Sequence, residues 1–190
     1  MEQRTQEWFA ARASRITASE AGALLDMSPF KSGGAAFKEL VGKVHGTPSK
    51  FVGNVATTYG TFNEDGALME YEWETGNKVN LIGFVEHSDW LGASPDGMVG
   101  DDGMLEIKCP FGLRNNKSPD FKNIDDLPHY YAQTQIQMFC AQRDYCDFFQ
   151  WNQFATSLER VYRDEAWLSE NLPELKAIHE QALRTSPLGV

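Results

Sequence analysis

Cysteine and histidine are scarce in this 190-residue chain, with three of the former and four of the latter. Cys109, Cys140 and Cys146 form neither an even set nor a C-x-x-C pair, which argues against a disulfide framework and a thiolate zinc site. His45, His87, His129 and His179 are scattered without ligand spacing, so neither zinc nor an iron–sulfur cluster is expected. No apolar run approaches the roughly 18 residues of a membrane span. The polar start MEQRTQEW lacks the charged and apolar regions of a signal peptide, so a cytoplasmic protein with no membrane partner is expected. Positive charge is short as well: 17 Lys and Arg stand against 27 Asp and Glu, a net charge of −10. Such a balance ordinarily argues against a nucleic-acid partner.

The charge is unevenly distributed, however, and that weakens the objection. Residues 1–50 carry seven Lys and Arg against five Asp and Glu, whereas residues 51–108 carry two against eleven. Carboxylates gathered in one segment form either a solvated acidic face or a bed for divalent cations. The hydrophobic content of 42% and aromatic content of 12% are ample for a buried core, and the length suits one domain.

Helices are expected over RTQEWFAAR and over ITASEAGALL, where Thr17 followed three residues later by Glu20 forms a capping box. SPFKSGGAA reads as a loop, FKELVGKVHG as a helix ended by Gly46, and Val55 to Thr75 as a longer helix stopped by Gly76. The period then changes. KVNLIGFVEH, WLGASPDGMV and MLEIKCP are short β-rich runs separated by turn residues. Pro128 opens the helix PHYYAQTQIQMFCAQ, YCDFFQWNQFA and LERVYRD read as two more strands, and AWLSENLPELKAIHEQALR as a terminal helix. Helices before, between and after a sheet of about five strands make an α/β or α+β domain.

Within this pattern one hairpin carries the chemistry. If Asp101-Asp102-Gly103 is a three-residue loop with Gly103 left-handed, residue 98 faces 106 and 96 faces 108. Asp96, Glu106 and Lys108 then project from one face, and Leu105, Ile107 and Cys109 from the other. Two neighbouring carboxylates beside a lysine call for a cation, and Mg2+ takes oxygen ligands. Lys108 beside it can hold or deprotonate a water and steady charge growing on a phosphate. Asp101 and Asp102 read as ordinary turn residues. The order PD, nine residues, EIK matches the PD-(D/E)XK nuclease signature. At the ITASE segment, the hydroxyls of Thr17 and Ser19 with Arg12 nearby can also cradle a phosphate.

From about Trp8 to about Asp147 the sequence resembles the lambda-type exonuclease family, the YqaJ-like viral recombinase nucleases. The resembling pieces stand in family order: W-x-x-x-R at Trp8 and Arg12, ITASE at Ile16 to Glu20, G-x-x-x-E at Gly60 and Glu64, SPDG at Ser94 to Gly97, LEIKCP at Leu105 to Pro110, and AQTQ at Ala132 to Gln135. The resemblance implies an α/β fold with a PD-(D/E)XK restriction-endonuclease-like core, a central mixed β-sheet flanked by helices. One nuclease domain over 1–190 is expected, with N-terminal helices to 76, the catalytic sheet and helix over 77–163, and a helical segment over 164–190.

The family also implies an activity: 5′-to-3′ degradation of linear double-stranded DNA, leaving 3′ overhangs for single-strand-annealing recombination. Two Mg2+ per active site are implied, with Mn2+ able to substitute. Carried over, Asp96, Glu106, the Ile107 carbonyl and Glu64 are metal ligands, Lys108 is the catalytic lysine, and Gln133 stands beside it. Gln137 reads as part of a polar helix face. Arg12, Ser19 and Ser94, with Thr17, form the pocket for the 5′-phosphate of the cut strand. Implied partners are double-stranded DNA with 5′-phosphorylated ends, a single-strand DNA annealing protein, and two further copies in a homotrimer ring. Glu86 or Asp89 is placed to supply another acid, and Lys31, Arg114, Lys117 and Lys122 are candidates for DNA backbone contacts. A structure-specific or restriction-like endonuclease on the same core, or a non-catalytic DNA-binding module, are the alternatives.

Overall fold

The computed structural model describes residues 3, 5–47 and 53–187. Helix α1 (Gln6–Ala13) starts at Thr5, whose hydroxyl accepts from the Trp8 N–H at 3.3 Å. Strand β1 (Ile16–Thr17) runs straight into α2 (Ala18–Leu24), and α3 (Gly33–Val44) follows a loop. The long helix α4 (Val55–Thr75) is capped by Asn54 and ended by Gly76, left-handed at φ 72°. Strands β2 (Val79–Asn80), β3 (Val85–Glu86), β4 (Leu91–Ala93), β5 (Gly97–Val99) and β6 (Gly103–Lys108) come next. Helix α5 (Pro128–Ala141), strands β7 (Tyr145–Asn152) and β8 (Ala155–Tyr162), and helix α6 (Glu165–Arg184) follow.

The strands form two mixed sheets. Five of them lie in the order β2-β5-β6-β7-β8, with β6 and β7 parallel and the other neighbours antiparallel. The parallel pair needs a crossover, and α5 supplies it. Three more lie in the order β1-β4-β3. Helix α4 covers one face of the larger sheet, setting Ala67 and Tyr71 against Val99, Leu105, Ile107 and Phe149. Helix α5 covers the other, setting Met138 against Met98, Met104, Cys146 and Phe148. The far side of α5 packs Ile136 and Cys140 with residues of α2, α3, α6 and the small sheet. Buried on nearly every side, α5 is the element through which the two halves of the core meet.

Several expected boundaries move. Arg4, the first residue of the expected first helix, lies outside the described residues. Helix α3 starts at Gly33 rather than Phe37, because Ser32 caps it and the Asp26 carboxylate accepts the Gly33 N–H at 2.5 Å. The runs at 78–87 and 90–99 each split into two strands that belong to different sheets.

The hairpin register also differs. Val99 pairs with Gly103, Met98 with Met104 and Gly97 with Leu105, so the loop is Gly100–Asp102 and the left-handed residue is Gly100, at φ 58°. Gly103 is needed elsewhere: a Cβ there would lie 2.3 Å from the Tyr145 ring. The shift of two residues from the expected register preserves the faces. Asp96 thus stands level with Glu106, and Glu106 and Lys108 still share a side of β6.

Candidate active site

Strand β6 turns Met104, Glu106 and Lys108 toward α5, and Met104 is spent on the core. Glu106 is only 3% exposed, so its carboxylate needs donors in place of water. It has three. Lys108 Nζ donates to Oε1 at 2.6 Å, Gln133 Nε2 to Oε1 at 2.5 Å, and Gln137 Nε2 to Oε2 at 2.6 Å. Lys108 Nζ also donates to Gln133 Oε1 at 3.2 Å and lies 4.6 Å from the centroid of the Tyr130 ring, a cation–π contact. Both glutamines are buried, one turn apart on α5, so they reach the same carboxylate from above. The expectation that Gln137 belongs to a polar face is therefore corrected: α5 has no solvated face there, and Gln137 holds the inner carboxylate.

Asp96 lies just before β5. Its N–H donates to the Leu105 carbonyl at 3.1 Å, and its Oδ2 accepts from the Ile107 N–H at 2.6 Å. Burial, then the negative charges of Glu106 and Glu64, push the Asp96 carboxyl well above the usual range, against the opposing effects of Lys108 and the Ile107 N–H. Burial opposes the charge on Lys108, but Glu106, Tyr130 and Asp96 outweigh it and hold the ammonium above its ordinary pKa. Burial together with Glu64 and Asp96 raises the Cys109 thiol to about 12, which leaves it an inert packing residue. Glu64, half-buried on α4, thus adds its charge to the same cluster from the opposite side of the sheet. Among the described residues no three Asp, Glu, His or Cys side chains close into a metal cage. The acids gathered here, Asp96 and Glu106 with Glu64 nearby, offer only oxygen, which fits a hard divalent cation that keeps several waters.

A second polar cluster lies at the other end of the β4–β5 segment. Arg12 Nη1 donates to the Ser94 hydroxyl at 3.4 Å, Trp8 Nε1 donates to the same oxygen at 2.9 Å, and the Arg12 guanidinium lies 3.9 Å from the Trp8 ring centroid. Thr17 is buried; its N–H and hydroxyl donate to Glu20 at 2.8 and 2.9 Å, and Ser19 lies 3.2 Å from the same hydroxyl. Lys43 donates to both Glu20 oxygens, at 2.9 and 2.8 Å. Burial lowers the pKa of Arg12 and of Lys43, and Glu20 partly restores both. Lys43 is thus bonded to Glu20 and Arg12 lies within reach of its charge, with the Thr17 and Ser19 hydroxyls beside the first and the Ser94 hydroxyl beside the second. Lys43 had no signal in the sequence, because the Glu20 it reaches is 23 positions away. Gln133 and Gln137 stand four residues apart, a spacing visible in the sequence, but that both reach Glu106 depends on how α5 docks.

The remaining candidates are placed elsewhere. Glu86 pairs with Arg15 at 2.6 Å, Lys31 with Glu39 at 2.5 Å, and the Arg114 guanidinium lies 3.7 Å from the Phe111 ring centroid. Lys117 and Lys122 are exposed.

Known proteins share this fold. The chain resembles an alkaline exonuclease, LHK-Exo, from Laribacter hongkongensis, at 32% identity over 95% of this chain and 93% of that one, with a TM-score of 0.78; the same protein in complex with dAMP gives 0.79. A phage-related exonuclease from Haemophilus somnus 129PT, at 13% identity and a TM-score of 0.73, shares the fold. These neighbours have PD-(D/E)XK-type exonuclease folds, and the mixed sheet flanked by helices described above is of that type. Among curated proteins, the uncharacterized protein R354 of Acanthamoeba polyphaga mimivirus is 31% identical over 163 residues, and the alignment spans 78% of this chain but 29% of that protein. Residues 7–144 match the model of the YqaJ-like viral recombinase domain, and the chain belongs to that family.

Proposed function

We propose that the protein is a metal-dependent nuclease that hydrolyses linear double-stranded DNA from its 5′ ends and leaves 3′ single strands. The observation that carries this reading is the Asp96–Glu106–Lys108 cluster on one hairpin, with Gln133 and Gln137 clamped on Glu106. The 32% identity to an alkaline exonuclease across 95% of the chain supports the exonuclease over other phosphodiesterases.

In this reading Asp96, Glu106 and the Ile107 carbonyl hold Mg2+, and Glu64 contributes directly or through water. Two such ions, for which Mn2+ can substitute, would polarise the scissile phosphate and steady the leaving 3′ oxygen. Lys108, kept protonated by Glu106, orients water and offsets charge on the phosphate oxygens. Gln133, bonded to both Glu106 and Lys108, fixes their separation. Gln137 locks the remaining Glu106 oxygen and keeps the carboxylate from rotating away.

Arg12, Ser19 and Ser94, with Thr17 behind them, form the pocket for the 5′-phosphate. Lys43 balances Glu20 so that Arg12 stays available to an anion. A subunit of this kind assembles as a ring of three and hands its 3′ strand to an annealing protein. The whole chain then serves as one nuclease domain.

The test follows a linear duplex with 5′-phosphate ends, with and without Mg2+. Wild-type protein should consume it only with the metal. Lys108→Ala should slow cleavage by roughly 10²- to 10⁴-fold while still binding DNA. Equal cleavage by the variant would contradict the assignment, and cutting of a closed circle would favour an endonuclease.

A further inference from the structure

The loop between α2 and α3 carries Phe30 with 80% of its surface exposed, a costly position for a large apolar ring. The loop is well tied down. Asp26, left-handed at φ 55°, accepts the Gly33 N–H, and the Ser28 hydroxyl accepts the Phe30 N–H at 3.2 Å. The Phe30 ring meets the His129 ring edge to face, with centroids 5.4 Å apart and planes at 85°. The His129 ring lies 4.1 Å from that of Tyr130, and the Tyr130 ring lies over the Lys108 ammonium. A row of rings therefore runs from exposed Phe30 to the lysine of the candidate site.

His129 is unusual in its own right. Both its ring nitrogens are shut off from solvent and make no hydrogen bond, an arrangement that costs free energy if the ring serves only to fill space. It is also wedged in place, since a Cβ on Gly22 would lie 2.7 Å from the His129 Cα. What His129 offers is its flat faces, one side turned to Tyr130 and the edge contact turned to Phe30.

Resting on the nuclease reading above, we propose that Phe30, braced by His129, is a stacking platform for a nucleobase of the DNA strand whose phosphate is held at Lys108. Uncharged ring faces reward flat π-systems whatever the base, so the contact would be insensitive to sequence. The phosphate of the same strand would face the cation at the other end of the row. A protein partner is the poorer occupant, because apart from Pro29 the neighbours of Phe30 in the sequence, Ser28, Lys31 and Ser32, are polar, and the loop offers one large ring rather than a broad apolar patch.

The test uses a 5′-phosphorylated duplex with 2-aminopurine, whose fluorescence falls on stacking, in one of its terminal base pairs. The whole chain is titrated onto it in EDTA. Wild type and Phe30→Trp should quench the probe, whereas Phe30→Ala should lose the quench and bind about tenfold more weakly, with all three melting at the same temperature. A Phe30→Ala protein that quenches and binds like wild type overturns the platform, and leaves the nuclease reading standing if wild type degrades linear DNA with Mg2+. A wild-type protein that neither binds nor degrades DNA removes both.

Discussion

Lys108, Gln133 and Gln137 all donate to the Glu106 carboxylate, and their losses should be felt differently. In the proposed site Lys108 faces the chemistry, whereas the Gln137 amide donates to Glu106 and to the Ser94 carbonyl. Gln137→Ala leaves one buried carboxylate oxygen without its donor, which should cost about 1–3 kcal/mol of stability. If Glu106 holds the metal as proposed, the substitution should also slow cleavage by roughly 10- to 100-fold, as loss of a support behind a metal ligand does. Denaturant unfolding and single-turnover cleavage on the same preparation would check both, and wild-type values in either would mean that Gln137 is only filling space. Asp96 presents the opposite balance, since it crowds Glu106 and Glu64 with like charge. Asp96→Asn keeps an acceptor for the Ile107 N–H and removes one negative charge. The variant should melt higher than wild type in EDTA yet lose cleavage, a trade expected where function requires a strained cluster. A lower melting temperature in EDTA would mean that the carboxylates are not in conflict.

At the scale of elements, punctuation decided what could be read from the sequence. Gly76 and Pro128 mark the end of α4 and the start of α5, and both helices stand where those residues place them. The lone β1 pair was invisible, because two residues carry no period and act as a strand only by pairing with Leu91 and Gly92. The hairpin faces were legible only given a three-residue loop, and they hold because the observed loop, Gly100–Asp102, also has three residues; which glycine turns it was not legible, since two were available and the Tyr145 ring crowds Gly103. The cluster of Asp96, Glu106 and Lys108 could be drawn from the sequence for that reason, while Lys43 and Gln137 depend on how α3 and α5 dock. Helix α6 makes an independent test. Its N-cap Asp164 accepts the Trp167 N–H at 2.9 Å and the Tyr131 hydroxyl at 2.9 Å, and these bonds, the backbone bond first, lower its pKa. A carboxylate with a depressed pKa stabilises the fold above its unfolded value of about 3.9 and loses that contribution as pH falls through the folded value. Asp164→Asn, which keeps a capping oxygen but not the charge, should therefore be less stable than wild type at pH 7 and converge on it as pH falls, flattening the acid end of the stability curve. An unchanged acid limb would show that the cap bonds do not favour the charged form.

Across the whole molecule, an acidic chain that acts on DNA needs its charge localised and offset. The run of acids between 51 and 108 supplies Glu64, Asp96 and Glu106, while the basic segment before it supplies Arg12 and Lys43 at the other cluster. Among the described residues no helix is long and apolar enough to cross a membrane. If the carboxylates hold Mg2+, saturating metal should raise the melting temperature of wild type and not that of Asp96→Asn; equal shifts would place the metal elsewhere. The central claim is directional cutting from a 5′ end, and one measurement reaches it most directly. A linear duplex labelled at either the 5′ or the 3′ end is digested with Mg2+ beside a closed circle of the same sequence. The account predicts early release of the 5′ label as mononucleotide, retention of the 3′ label on a strand that shortens from its other end as its single-stranded tail grows, and an intact circle. Early loss of the 3′ label, or nicking of the circle, would contradict it.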